Sequence, residues 1–206
     1  TNATNYDVYN NTIGNSTNPN LRMGTLTDGG GNLSNVGTNF GLTSGTGLFF
    51  GIYDLAAGAA NIVNIGAKGL SNTIQNASLN STSATSYFKG IEAAKIGNAA
   101  GAFLTTRVNI ASNIIRNITT TSSATTFITA AGGGNFAGTG IYLAGINGSG
   151  ATNSIITDNS ISDLSLTNTG TGGYNITGIA THVQFAGAVP TVSKNRICRL
   201  SNASTS

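Results

Sequence analysis

Apolar residues along this chain neither alternate strictly nor recur at helical spacing; they fall into two short blocks that take turns. The first block centres on an asparagine followed two places later by isoleucine. It reads Val8-Tyr9-Asn10-Asn11-Thr12-Ile13, then Gly69-Leu70-Ser71-Asn72-Thr73-Ile74, then Ile110-Ala111-Ser112-Asn113-Ile114-Ile115. It returns as Ile156-Thr157-Asp158-Asn159-Ser160-Ile161 and Val192-Ser193-Lys194-Asn195-Arg196-Ile197. Three places after each isoleucine stands Ser16, Ala77, Ile118, Leu164 or Leu200, so the pattern is V/I-x-x-N-x-I-x-x-I/L with the first two copies degraded. The second block is a Gly-Ile step: Gly51-Ile52-Tyr53, Gly90-Ile91-Glu92, Gly140-Ile141-Tyr142 and Gly178-Ile179-Ala180.

The asparagines are 61, 41, 46 and 36 residues apart and the glycines 39, 50 and 38. Intact blocks at unequal spacing mean insertions in loops. Residues on one face of a flat strand differ by even numbers. Here the apolar positions differ by five and then three, so the chain must bend. Asparagine tolerates the left-handed conformation better than other non-glycine residues. Each first block therefore reads as strand, corner at the Asn, strand. The Gly-Ile step reads as a second bend; Lys89, just before Gly90, would be a poor core residue in a straight strand.

Cornered strands that repeat wind into coils, and stacked coils share one core that no single coil can bury alone. The pattern predicts an all-β fold: a parallel β-helix (solenoid) of about five coils over residues 1–206, one for each copy of the first block, right-handed by the general chirality of parallel crossovers. It carries long Asn/Thr/Ser/Gly-rich loop insertions, with 17–48 an insertion or weak coil. Asn11, Asn72, Asn113, Asn159 and Asn195 are expected to form a corner ladder in which side-chain amides satisfy one another and the backbone. Pieces such as Leu55–Ala60 and Glu92–Lys95 leave room for single helical turns at most.

Composition supports this picture. Only 7% of the 206 residues are charged, so the surface must be covered by Asn, Thr, Ser and Gly. The hydrophobic fraction of 39% argues against disorder. Of the nine basic residues only Lys194, Arg196 and Arg199 cluster, which excludes a nucleic-acid face and makes the net charge of +3 an accident of few charges. One cysteine, Cys198, cannot make an internal disulfide. No apolar run is long enough for a membrane helix, so no membrane insertion is expected. The first residue is Thr and there is no signal peptide, which reads as a mature protein or a fragment of a longer chain.

The run Gly140-Ile141-Tyr142-Leu143, followed by Asn153-Ser154-Ile155-Ile156-Thr157-Asp158-Asn159-Ser160-Ile161, resembles the parallel β-helix repeat of the pectate-lyase-like superfamily. The resemblance covers 49–201 well and 6–16 partly. It implies right-handed coils and an Asn ladder at one corner. The polar insertions and low charge are also similar to large repetitive surface proteins exported by Bacteroidota-type Gram-negative bacteria, which implies an adhesin or stalk.

Enzymes of that superfamily gather carboxylates and a base on one face. The six acids here are Asp7, Asp28, Asp54, Glu92, Asp158 and Asp163, and no two share a short motif with a basic partner. His182 stands alone on a strand and reads as structural. No catalytic, cofactor-binding or metal-ligating residue is assigned, and no cofactor is expected. Aligning the last two blocks instead stacks Asp158 near Lys194 and Asp163 near Arg199, exposed pairs that fix register and contribute little stability. Ice binding would need a threonine stripe. The position after the corner Asn reads Thr12, Thr73, Ile114, Ser160, Arg196, which is not one. Tyr53 and Tyr142 share a column, as sugar-contacting aromatics would, but capping an exposed strand face is the simpler reading. The many N-x-S/T triplets are expected by chance in this composition.

The expected function is a structural or adhesive module of a large exported bacterial surface protein, outside the cell. Its partners would be more of the same polypeptide, neighbouring surface proteins or glycans. The alternative is a carbohydrate-binding or polysaccharide-lyase-like β-helix whose catalytic residues lie elsewhere, with ice binding a minor third.

Overall fold

The computed structural model describes residues 5–15, 21–24, 48–53, 62–80, 87–93, 107–122, 138–146, 154–168, 176–183 and 190–204. Among these there is no helix. The strands come in passes. The first is β1 (Asn5–Val8), β2 (Thr12–Ile13), β3 (Leu21–Gly24) and β4 (Leu48–Tyr53). Next come β5 (Ile62–Ile65), β6 (Thr73–Asn80) and β7 (Tyr87–Ala93), then β8 (Arg107–Ala111), β9 (Ile114–Ser122) and β10 (Gly138–Ile146). They are followed by β11 (Ile155–Thr157), β12 (Ser160–Asn168) and β13 (Ile176–Val183), and finally β14 (Thr191–Ser193) and β15 (Arg196–Ser204).

The passes stack into three sheets, and every strand pairing is parallel. The first sheet has the order β1-β5-β8-β11-β14; the second runs β15-β12-β9-β6-β2, with β3 also on β6; the third is β13-β10-β7-β4. Visiting three parallel sheets in rotation is consistent with a parallel β-helix solenoid. Within 17–48, Leu21–Gly24 lies along β6 and Leu48 opens β4; the rest of that stretch is outside the described residues.

The core is built from columns of like residues. Val8, Ile65, Ile110, Ile156 and Val192 are register partners in turn, and so are Ile13, Ile74, Ile115, Ile161 and Ile197. Ile52, Ile91, Ile141 and Ile179 make a third column. The interior members are fully buried, each burial stabilising by about 1.5–3 kcal/mol.

The bend falls elsewhere than at the ladder asparagine. The left-handed residue is the one before it: Asn10 (φ 56°), Ser112 (58°), Asp158 (55°) and Lys194 (54°). A second left-handed residue stands four places after it, at Asn76 (52°), Asn117 (53°), Asp163 (55°) and Arg199 (53°). The strand pairing skips that second position, since Ser162 pairs with Cys198 and Leu164 with Leu200. This skip puts Ile161 and Leu164, three apart, on the same inner face. Asn and Asp fill five of the eight positions because they reach this conformation at low cost.

Gly69 was expected in the first apolar position of its block, but Ile65 holds it, paired with Val8 and Ile110. Residues 67–70 form a small excursion closed by backbone bonds between Ala67 and Leu70, at 2.9 and 3.3 Å. The second copy of the block is therefore intact but interrupted. Glu92 and Ala93, expected in a single helical turn, complete β7 instead, because their strand is held on both sides.

At the Gly-Ile step the ladder also skips. Lys89 pairs with Thr139 and Ile91 with Ile141, leaving Gly90 and Gly140 out of register pairing. Phe88 and Ile91 both enter the core, which leaves Lys89 and Glu92 together on the opposite face.

Candidate functional site

Four polar systems account for most of the chain's described chemistry. The first is the corner ladder. The backbone N–H and the side-chain Nδ2 of Asn11 both donate to Asn72 Oδ1, at 3.0 and 2.9 Å. Asn72 donates in the same way to Asn113 Oδ1 at 3.4 and 2.9 Å, and Asn113 to Asn159 Oδ1 at 2.9 and 3.0 Å. Asn159 donates to Asn195 Oδ1 at 3.0 and 2.9 Å. The second Nδ2 proton reaches back to a strand carbonyl, as from Asn113 to Ile65 O at 2.8 Å and from Asn159 to Ile110 O at 2.9 Å. Asn72, Asn113 and Asn159 are at most 1% exposed, and each has its amide satisfied in full. Thus the five residues expected at the corner are brought into one line, by side-chain bonding and not by their own backbone angles.

The second system was not anticipated. Arg107 Nε donates to Asn109 Oδ1 at 2.7 Å, Asn109 Nδ2 to Asn64 Oδ1 at 2.7 Å, and Asn64 Nδ2 to Asp7 Oδ1 at 2.8 Å. This row lies in the first sheet on register partners Asp7, Asn64 and Asn109. Its signal was present in the sequence as Val63-Asn64-Ile65 and Val108-Asn109-Ile110.

The third system stands on the outer face of the third sheet. Lys89 Nζ lies 2.6 Å from Glu92 Oε2, with the two side chains 3% and 2% exposed. The ammonium also sits 4.2 Å from the ring centre of Tyr142. Tyr53, Glu92, Tyr142 and Ala180 are successive register partners, so the two tyrosines flank the carboxylate along one row. Thr139, beside Lys89, is fully buried and its hydroxyl makes no hydrogen bond. Lys89 was expected to avoid the core, and it does so by taking a buried ion pair.

The fourth system is exposed. Arg199 grips Asp163 with Nε and Nη, the Nη contact to Oδ2 measuring 2.6 Å. The guanidinium holds the Asp163 carboxyl down to about 2. The expected partner pair, Asp158 and Lys194, shares a position in the corner but forms no ion pair; the Asp158 carboxylate takes the Thr157 hydroxyl at 3.0 Å. In the same column system Arg116 bonds Gln75 Oε1 at 2.7 and 3.0 Å.

Each of the four described carboxylates therefore has its own partner: Asp7 with Asn64, Glu92 with Lys89, Asp158 with Thr157, Asp163 with Arg199. Asp28 and Asp54 lie outside the described residues. Among the described residues no three His, Cys, Asp or Glu side chains gather as a metal site would require. His182 is on β13. Thr12, Thr73, Ile114, Ser160 and Arg196 do share one row, in which only the first two members are threonine. No described helix is long and apolar enough to cross a membrane.

No protein-family model, no curated protein and no solved structure matches this chain.

Proposed function

We propose that this chain is a rigid structural module, a stalk or spacer of a large exported bacterial surface protein. In this reading the fold is a right-handed parallel β-helix of about five coils, like the repeats of the pectate-lyase-like superfamily. The observation that carries it is the assignment of every described carboxylate to a separate structural partner, while the corner amides form one unbroken line. Polar groups in this arrangement hold register, and among the described residues each carboxylate stands in its own row of the stack. Variable loops between constant strands then give a stiff body with an adaptable surface. The module acts outside the cell, joined to more of the same polypeptide, to neighbouring surface proteins or to glycans.

The test is the intact mass of the native polypeptide from washed cell envelopes and from the medium. A chain far heavier than 20.6 kDa held at the surface supports the reading. A free chain of about that mass in the medium overturns it.

One observation favours a second reading. Tyr53 is 40% exposed at the edge of the row that continues through Glu92 to Tyr142. An exposed aromatic on a sheet edge suits a sugar face, so a glycan-binding module is the alternative. Binding to a polysaccharide array, abolished by Tyr53→Ala, would favour it.

A further inference from the structure

Lys89 and Glu92 stand three places apart on β7, a strand in the interior of the third sheet. β4 and β10 pair with it on its two sides, so its backbone is held in place. The skip at Gly90 turns both side chains to one outer face while Phe88 and Ile91 enter the core. Lys89 Nζ comes 2.6 Å from Glu92 Oε2, and the carboxyl carbon Cδ is one bond beyond that oxygen. This approaches the separation of about 3–3.5 Å from which held groups react as if in one molecule. The ring of Tyr142 packs over the amine, its centre 4.2 Å from Nζ, and keeps it in position.

The place is dry. The two side chains are 3% and 2% exposed. Thr139, the register partner of Lys89 on β10, is 0% exposed, and its hydroxyl makes no hydrogen bond. Cross-strand partners share a face, so this orphan donor belongs to the same polar cluster. An ion pair so deeply buried bears the desolvation of two charges. A neutral amide in its place bears neither. In water an amine and a carboxylate do not condense, because the water they release is in vast excess. In a dry site the released water escapes to solvent, and the balance turns toward the amide.

We propose that Lys89 and Glu92 join through an amide bond from Nζ to Cδ, a covalent staple across the bend at Gly90. The ammonium first passes a proton to Oε2, which leaves a neutral amine and a carboxylic acid. The nitrogen lone pair attacks Cδ, and the electrons of its C=O bond move onto Oε1. A proton on nitrogen then moves to the Oε2 hydroxyl, the Cδ–Oε2 bond breaks, and one water departs as the C=O bond re-forms. The Nζ–Cδ bond is made, nothing is oxidised or reduced, and no co-reactant enters. The Thr139 hydroxyl is the donor among the described residues that lacks a partner, and the charge that develops on Oε1 supplies one. The staple is independent of the stalk reading, since it needs only the fold.

The experiment weighs the whole 206-residue chain, purified folded and then unfolded in denaturant. The expected mass is one water below that of the sequence. A mass equal to the sequence overturns the proposal. Tryptic digestion of the unfolded chain places the link. A free Lys89 allows cleavage after it, giving fragments 69–89 and 90–95. A linked Lys89 is not cut, and a single fragment 69–95 lighter by one water is expected. Release of the two separate fragments overturns the proposal even if the whole chain has lost a water elsewhere. Lys89→Met/Glu92→Leu, which removes both charges, serves as the control. It should carry the full mass of its own sequence, and a loss of water that persists in it overturns the assignment to this pair.

Discussion

Ile115 packs directly onto Gly90: its Cδ1 lies 2.9 Å from where a Cβ on Gly90 would stand, and Gly140 O lies 2.5 Å from the same point. The two sequence blocks therefore touch across the core, the isoleucine of one filling the space left by the glycine of the other. The same contact recurs between Ile74 and Gly51, Ile161 and Gly140, and Ile197 and Gly178. Gly90→Ala should destabilise by about 1–3 kcal/mol, the usual cost of overpacking. Ile115→Val in that background should cost less than Ile115→Val alone. Urea denaturation of the four chains measures this coupling, and additive effects would contradict the contact.

Loss of an inner rung should exceed loss of an outer one. Asn113→Ala takes from the backbone N–H of Asn72 and from one of its two Nδ2 protons the oxygen they share, and removes a side-chain bond to the carbonyl of Ile65, all of them buried. Each such group costs about 1–3 kcal/mol. Asn11→Ala removes an exposed side chain that serves Asn72 and the carbonyl of Tyr9, and should cost much less. Thermal midpoints of the two variants rank them, and equal losses would mean that the amides do not carry the corner.

The buried Lys89–Glu92 pair predicts a different pattern. Glu92→Leu takes the carboxylate from an ammonium at 3% exposure and should destabilise by about 3–5 kcal/mol. Lys89→Met/Glu92→Leu removes both charges and should recover most or all of that loss. Denaturation midpoints decide the matter; a double variant as weak as the single would point to packing instead of charge.

Asp163 titrates low, at about 2 against an ordinary 3.8, chiefly through its bond to Arg199. A depressed carboxyl adds stability above its unfolded range and loses it as pH falls through the folded value. The contribution is thus full above about pH 4 and fades toward pH 2; exposure to solvent keeps it small. Arg199→Ala should raise the Asp163 carboxyl toward 3.8, read by NMR titration of that side chain.

Periodicity alone carried much of the architecture. An Asn and an Ile two places on, repeated five times, placed the corner ladder and the core columns because both depend on register between passes. The site of the bend was not legible in the same way. Left-handed backbone falls on Asn10, Ser112, Asp158 and Lys194, four different side chains, so composition at that position hides the conformation. Gly69 misled because a four-residue excursion had pushed Ile65 away from Asn72. The Lys89–Glu92 pair was hidden by the skip at Gly90. Parity puts residues three apart on opposite faces of a straight strand, and only the bend unites them. The Asp163–Arg199 pair was readable because it needs only the alignment of two adjacent blocks.

The corner amides all point the same way. Each C=O receives from behind and each N–H gives forward, so their dipoles add along the axis from Asn11 to Asn195. A hydrogen-bonded file of this kind polarises itself, and its middle members bind more strongly than its terminal ones. Melting should then begin at the two ends and travel inward, the interior passes opening last.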